Sequence, residues 1–164
     1  MAQRVSVSFA VTSLSIKQMS KYPTIRSFKD LEVYQNLYKA SILVMTRIIQ
    51  KLPPAERFDL KDQLSRSSKA APRLVAEGYA KKHQKAGFLK YIDDAMAECN
   101  ECVVSLEQVK DIYHIEVELC NELIDIYDKS ARQLFNLAIA WEKFKNRRIT
   151  QPSNDTGSAN ANVN

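Results

Sequence analysis

The sequence predicts an all-α protein, an antiparallel up-down-up-down four-helix bundle within 164 residues. Apolar residues recur at three- and four-residue spacing through four long segments, which is the period of a helix face. The whole chain contains three glycines and five prolines, so few residues interrupt those segments. The connections between them are short and polar, and short loops place consecutive helices antiparallel.

The first helix is expected to begin after Ser27, which serves as N-cap. Asp30 takes the capping-box position that Glu or Gln usually holds. The helix ends before Pro53 and Pro54, because proline lacks the amide hydrogen that a helix interior requires. The residues expected to face the core are Leu31, Tyr34, Leu37, Tyr38, Ser41, Met45, Ile48, Ile49 and Leu52.

The second helix is expected over about residues 55–82, with small residues on one face that allow a neighbouring helix to approach closely. Pro72 lies inside it and removes one backbone hydrogen bond, which predicts a kink near Ala71. The inward residues are Leu60, Leu64, Ser67 or Ser68, Ala71, Leu74 or Val75, and Gly78.

The third helix is expected over about residues 87–111, and the fourth from the turn at 111–115 to about residue 145. The third helix should bury Phe88, Ile92, Ala95, Cys99, Cys102, Leu106 and Val109. The fourth should bury Leu119, Leu123, Ile126, Ser130, Leu134, Leu137, Trp141 and Phe144.

These periods divide the chain into a bundle at residues 27–145, a flexible segment at 1–26 and a disordered polar tail at 146–164. No apolar run approaches the roughly 20 residues that a membrane-spanning helix needs, so no membrane association is expected. The three cysteines are an odd number, and the N-terminal segment has no sustained apolar run, so no secretory signal is expected. Reduced thiols in a cytoplasmic protein are the expectation.

The net charge of +5 is distributed unevenly. Residues 28–145 hold 18 basic and 18 acidic residues, so the tails supply the whole excess. Residues 56–90 hold nine basic and four acidic residues, whereas residues 91–128 hold one basic and eleven acidic ones. Such polarity steers a polyanion to one face or pairs one subunit with the next. The alternative is charge pairing between adjacent helices of one subunit.

The second helix and the turn after it carry the candidate binding residues. Lys and Arg side chains neutralise phosphates without reading sequence. Tyr79 lies among them and either stacks on a base or packs in the ordinary way. The candidate nucleic-acid-binding residues are Arg66, Lys69, Arg73, Lys81, Lys82 and Lys85.

No catalytic, metal or cofactor site is predicted. Cys99 and Cys102 have CxxC spacing but lack the strand-to-helix context of a redox motif. Cys120 is expected at a different depth in the bundle, so the three are read as small core residues. His83 and His114 lie near turns without the Glu-x-x-His pairs of a di-metal bundle, so they are expected at the surface. We therefore expect no enzymatic activity.

The chain resembles the four-helix-bundle family of the protein encoded in 23S rRNA intervening sequences and of the accessory proteins of diversity-generating retroelements. The resemblance spans about residues 28–144. Ala97-Glu98 departs from the Gly-Ser that the family often has there. The residues that carry the resemblance are the segment FKDLEVYQ at 28–35, then Pro54, Phe58, Leu60, Gln63, Leu64, Pro72, Ala76, Glu77, Gly78, Phe88, Leu89, Ala95 and Glu101.

The resemblance implies a ring-shaped homopentamer, with nucleic acid or a reverse transcriptase as partner. Together with the charge pattern, it predicts a non-enzymatic, oligomeric accessory protein. That protein would bind RNA or DNA through the basic face of the second helix and the basic tails. The alternative is a scaffold that binds a protein partner such as a retroelement reverse transcriptase.

Overall fold

The computed structural model describes residues 25–149, with side chains described as far as residue 143. Within this range there is no strand, and no helix is long and apolar enough to cross a bilayer. The predicted flexible segment, except Ile25 and Arg26, and the end of the predicted tail lie outside the described residues. The four helices are α1 (Glu32–Leu43), α2 (Leu60–Ala80), α3 (Lys85–Tyr113) and α4 (Val117–Ile149).

Consecutive helices run antiparallel, as predicted. The Tyr113 hydroxyl at the end of α3 donates to the Glu56 carboxylate just before α2. At the opposite end of the same pair, Gly78 of α2 lies against Tyr91 of α3. Each helix packs against two neighbours in the ring order α1–α2–α3–α4, and among the described residues the diagonal pairs do not pack together.

α3 and α4 follow the same antiparallel pattern. The rings of Phe88 and Trp141 lie 4.7 Å apart and join the start of α3 to the far part of α4. An ion pair of 3.2 Å between Lys85 and Glu142 lies at the same end. α4 continues to Ile149, beyond the predicted end near residue 145.

The predicted capping box is present, but it begins a 3₁₀ turn. The Ser27 hydroxyl accepts a hydrogen bond of 3.1 Å from the Lys29 amide, and Asp30 accepts one of 2.8 Å from the Ser27 amide. This turn covers Phe28–Asp30, and α1 follows it. A second 3₁₀ turn, Pro54–Phe58, occupies the predicted first turn of α2. The first and second α-helices are therefore shorter than predicted.

The end of α1 passes into a π turn over Val44–Ile48, where the Ile49 amide donates to the Val44 carbonyl at 2.9 Å. The core face of α1 is also displaced from the prediction. Ala40 and Val44 are fully buried, whereas Tyr38 is 51% exposed. The prediction that Tyr38 faces the core is wrong because Leu37 takes the central position, and the next residue lies about 100° around the helix.

The predicted core faces of α2 and α3 are confirmed. Every predicted α3 residue is buried, and the α2 face from Leu60 to Gly78 is buried apart from the partly exposed Leu74. On α4 the prediction omitted Tyr127, which is fully buried. The predicted position of Phe144 lies outside the described side chains.

The turn between α3 and α4 forms ion pairs with residues that follow α1. His114 and Glu116 have positive φ angles of 53° and 44°, a conformation that residues other than glycine adopt infrequently. The Glu116 carboxylate accepts hydrogen bonds from Lys51 and, at 3.2 Å, from Arg47. These two cations hold the pKa of Glu116 below its ordinary value. The ion pairs therefore connect α1 to the start of α4.

Candidate nucleic-acid interface

The six candidate residues divide into two groups. Arg66, Lys69 and Arg73 lie on the outer side of α2, spaced by three and four residues, and line a groove of about 680 Å³ between α2 and α3. The other lining residues are Phe58, Asp59, Asp62, Gln63, Ala70, Glu98 and Glu101. The second group, Lys81, Lys82 and Lys85, lies at the α2–α3 turn.

Carboxylates accompany the basic residues in this groove. Arg66 lies 3.6 Å from Asp62, and Arg73 lies 3.7 Å from Glu77, each one helical turn away. Glu98 faces them from α3; burial and the neighbouring Glu101 raise its pKa, while Arg66 and Arg73 oppose that rise. The groove thus contains both signs of charge, which weakens its attraction for a polyanion.

The basic end of the bundle, defined by Lys81, Lys82 and Lys85, has fewer carboxylates beside it. Lys81 is exposed and forms no ion pair with any described residue. The Lys82 ammonium lies 4.0 Å from the centre of the Tyr79 ring, a cation–π contact that leaves its charge in place. Lys85 pairs with Glu142. Tyr79 is half-buried and packs against the core.

The last part of α4 is basic in sequence. The Lys85–Glu142 pair brings the last part of α4 beside the α2–α3 turn. In sequence, that part of α4 carries Lys143, Lys145, Arg147 and Arg148. The first turn of α3 holds no acidic residue. Lys85 therefore contacts α4 at the residue just before a stretch of its sequence that is rich in basic residues.

Phe58 is a surface residue that the sequence prediction did not select. Its side chain is 86% exposed at the mouth of the groove, with the Arg57 guanidinium 5.1 Å from the centre of its ring. The available signal was its place in the Pro-x-x-x-Phe pattern, outside the apolar period of the helix. An exposed aromatic ring of this kind is a typical contact for another macromolecule.

The cysteines are core residues, as predicted. Cys102 donates through Sγ to the Ser67 hydroxyl at 3.3 Å, and Cys99 lies one turn away on the same helix. Burial raises the pKa of Cys102 to about 12 and that of Cys120 to about 11. Thiols that stay protonated are poor nucleophiles and metal ligands. No cluster of three or more metal-ligating side chains occurs among the described residues.

The fold and this surface define an all-α four-helix-bundle protein with a groove of mixed charge and three lysines at the α2–α3 turn. The chain belongs to the 23S rRNA-intervening sequence protein family, which matches it over residues 29–136. The resemblance to that family is thereby confirmed, while the match carries no link to retroelements. No curated protein and no solved structure matches the chain.

Proposed function

We propose that this protein is a non-enzymatic, homo-oligomeric accessory protein of the cytoplasm that binds the backbone of RNA or DNA at the basic end of its bundle. The observation that carries the proposal is the group of three lysines at the α2–α3 turn, Lys81, Lys82 and Lys85, of which Lys85 contacts α4 at Glu142. Lysine ammonium groups bind phosphate by releasing counterions, and this requires no sequence-specific contact.

The groove residues take a smaller part in this proposal. Arg66 and Arg73 already lie near Asp62 and Glu77, and Glu98 faces both arginines. A phosphate entering the groove would meet these carboxylates as well as the guanidinium groups. The basic end presents cations with less opposing charge, so we place the main phosphate contact there.

Salt dependence of binding tests this assignment. Binding of a DNA duplex and of a single strand is measured by fluorescence anisotropy at several salt concentrations. Each lost phosphate contact should reduce the log–log slope by about 0.9 for a DNA-like duplex and about 0.7 for single strands. Lys81→Gln, Lys82→Gln and Lys85→Gln together should weaken binding and flatten this slope.

A matched triple variant, Arg66→Gln, Lys69→Gln and Arg73→Gln, removes the same charge from the groove. We expect it to change binding less than the variant of the basic end does. A larger effect of the groove variant would move the site to α2. A chain lacking residues 1–24 and 150–164 should retain most of the binding, and complete loss would assign the affinity to the tails.

A second candidate function is a scaffold that binds a protein partner, such as a retroelement reverse transcriptase. The exposure of Phe58 favours it, because large exposed aromatic side chains are typical centres of protein interfaces. Phe58→Ala should weaken binding to a purified reverse transcriptase while leaving the salt slope for RNA unchanged. Absence of binding by the wild-type protein would exclude that partner.

A further inference from the structure

The start of α1 and the 3₁₀ turn before it carry a row of aromatic rings. The Phe28 ring meets the Tyr34 ring edge to face, with 4.8 Å between the ring centres. Tyr34 in turn stacks on Tyr38, with 6.0 Å between the centres and 16° between the ring planes. Tyr38 is 51% exposed. The row therefore ends at a half-exposed ring on which a further flat ring can lie.

The two tyrosines line a surface pocket of about 370 Å³ whose charged groups are all basic. Its other lining residues are Lys29, Gln35 and Lys39. Both lysines are exposed, and no ion pair joins either of them to another described residue. The Gln35 side-chain amide donates to the Lys29 carbonyl at 2.8 Å, which fixes the 3₁₀ turn against α1. Unlike the α2–α3 groove, this pocket has no carboxylate among its described lining residues to oppose an anion.

This pocket lies toward the basic end of the bundle. Lys51, which follows α1, pairs with Glu116 at the α3–α4 turn, so the end of α1 lies opposite the α2–α3 turn. α1 packs along α2 and therefore begins at the end of the bundle where the α2–α3 turn lies. A nucleic-acid strand held by its phosphates at the basic end has further nucleotides that can extend toward α1.

We propose that Tyr34 and Tyr38 form a stacking platform for one base of a single-stranded RNA or DNA, with Lys29 and Lys39 beside it on the phosphates. The inference rests on the nucleic-acid binding proposed above and adds a contact that only a single strand can make. Bases of a duplex are paired and stacked on one another, whereas a base of a single strand has a free face. Neither a ring face nor an ammonium group reads the edge of a base, so the platform has no strong sequence preference.

Tyr38→Ala tests the platform in the full chain, with affinities measured by fluorescence anisotropy. The probes are an oligothymidylate and an oligouridylate of about ten nucleotides each, and a DNA duplex. The substitution should weaken single-strand binding about 5- to 150-fold, the loss of one stacked base. This factor should be the same at every salt concentration because the ring has no charge, and duplex binding should not change. Tyr38→Phe keeps the ring and should keep the affinity.

Two further variants separate charge from stacking. Lys29→Gln with Lys39→Gln should flatten the log–log salt slope for single strands by about 1.4, at about 0.7 for each lost phosphate contact. Phe135→Ala is the matched control, because it removes a ring of similar exposure, 56%, from α4. That control should leave all affinities unchanged.

The platform and the proposed function fail in different ways. An unchanged single-strand affinity of Tyr38→Ala, or an equal loss for the duplex, would overturn the platform and leave phosphate binding at the basic end intact. A changed mass of Tyr38→Ala in analytical ultracentrifugation would assign the ring to a contact between subunits and overturn the platform as well. Equal losses for the two strands are expected, and a loss with only one of them would restrict the platform to that strand. A wild-type protein that binds none of the probes would refute the proposed function and the platform together.

Discussion

Exchange of Gly78 for alanine tests how closely α2 and α3 approach. An added Cβ would lie 3.2 Å from Tyr91 Cβ and 3.4 Å from Ile92 Cδ1. Tyr91 Cβ is bonded directly to the α3 backbone, so no change of rotamer can relieve the contact. The exchange gains about 0.8–1.0 kcal/mol of helix propensity, and overpacking costs about 1–3 kcal/mol. We expect a net loss of about 1 kcal/mol in the free energy of unfolding.

The matched control is Gly87→Ala in the first turn of α3. Its Cβ would lie 3.4 Å from Gln84 Oε1 and from Lys81 Cβ, ordinary contacts with side chains at a turn. The control should therefore be stabilised by up to about 1 kcal/mol. Urea unfolding followed by circular dichroism at one protein concentration measures both variants. An equal gain in stability for the two alanines would refute the close approach at Gly78.

Three further predictions concern buried and paired groups. Lys51 and Arg47 lower the pKa of Glu116 in the folded protein. The two ion pairs therefore stabilise the fold fully above about pH 4.3, the pKa of an unfolded glutamate, and this stabilisation is lost as the pH falls through the lower pKa of the folded state. Glu116→Gln should thus lower the thermal midpoint at neutral pH and have little effect in strong acid; an equal effect at both would contradict the ion pairs. The buried thiols should resist a disulfide reagent in native protein and react after unfolding in guanidinium, whereas fast native reaction would show that the core opens. Tyr127→Phe should change the free energy of unfolding by less than about 1 kcal/mol, since the only polar group that interacts with the buried hydroxyl among the described residues is the weakly polar Cys102 thiol. Tyr127→Ala should lower the free energy of unfolding by about 3–5 kcal/mol, measured by urea unfolding.

The sequence was sufficient for the helices whose inner faces are narrow and regular. α3 keeps its apolar residues on one stripe from Phe88 to Val109, and all of that stripe is buried. The end of α1 could not be predicted in the same way. At Val44–Ile48 the backbone hydrogen bonds skip one more residue than in an α-helix and form a π turn. The spacing of apolar residues does not predict this change of hydrogen-bond pattern.

The sequence predicts which segments carry the charged residues of the candidate site, but it does not predict which of those residues lie close together. Counting charges identified the basic α2 region and the acidic region after it. The sequence does not show that Glu98 lies across a groove from Arg66 and Arg73, because that contact depends on how α2 and α3 align. Only its place outside the apolar period signalled the exposure of Phe58, because a phenylalanine near a helix start is usually taken as a core residue.

The π turn that follows α1 also has an evolutionary consequence. A π turn is what an α-helix forms when it absorbs one inserted residue while the flanking turns keep their orientation. Loss of one residue between Val44 and Ile48 would leave a regular helix, with Arg47 or its replacement still directed toward Glu116. The same loss within α3 would rotate every following residue by about 100° and turn its core side chains into solvent. Length variation among related chains should therefore be tolerated at this turn and excluded from the middle of α3.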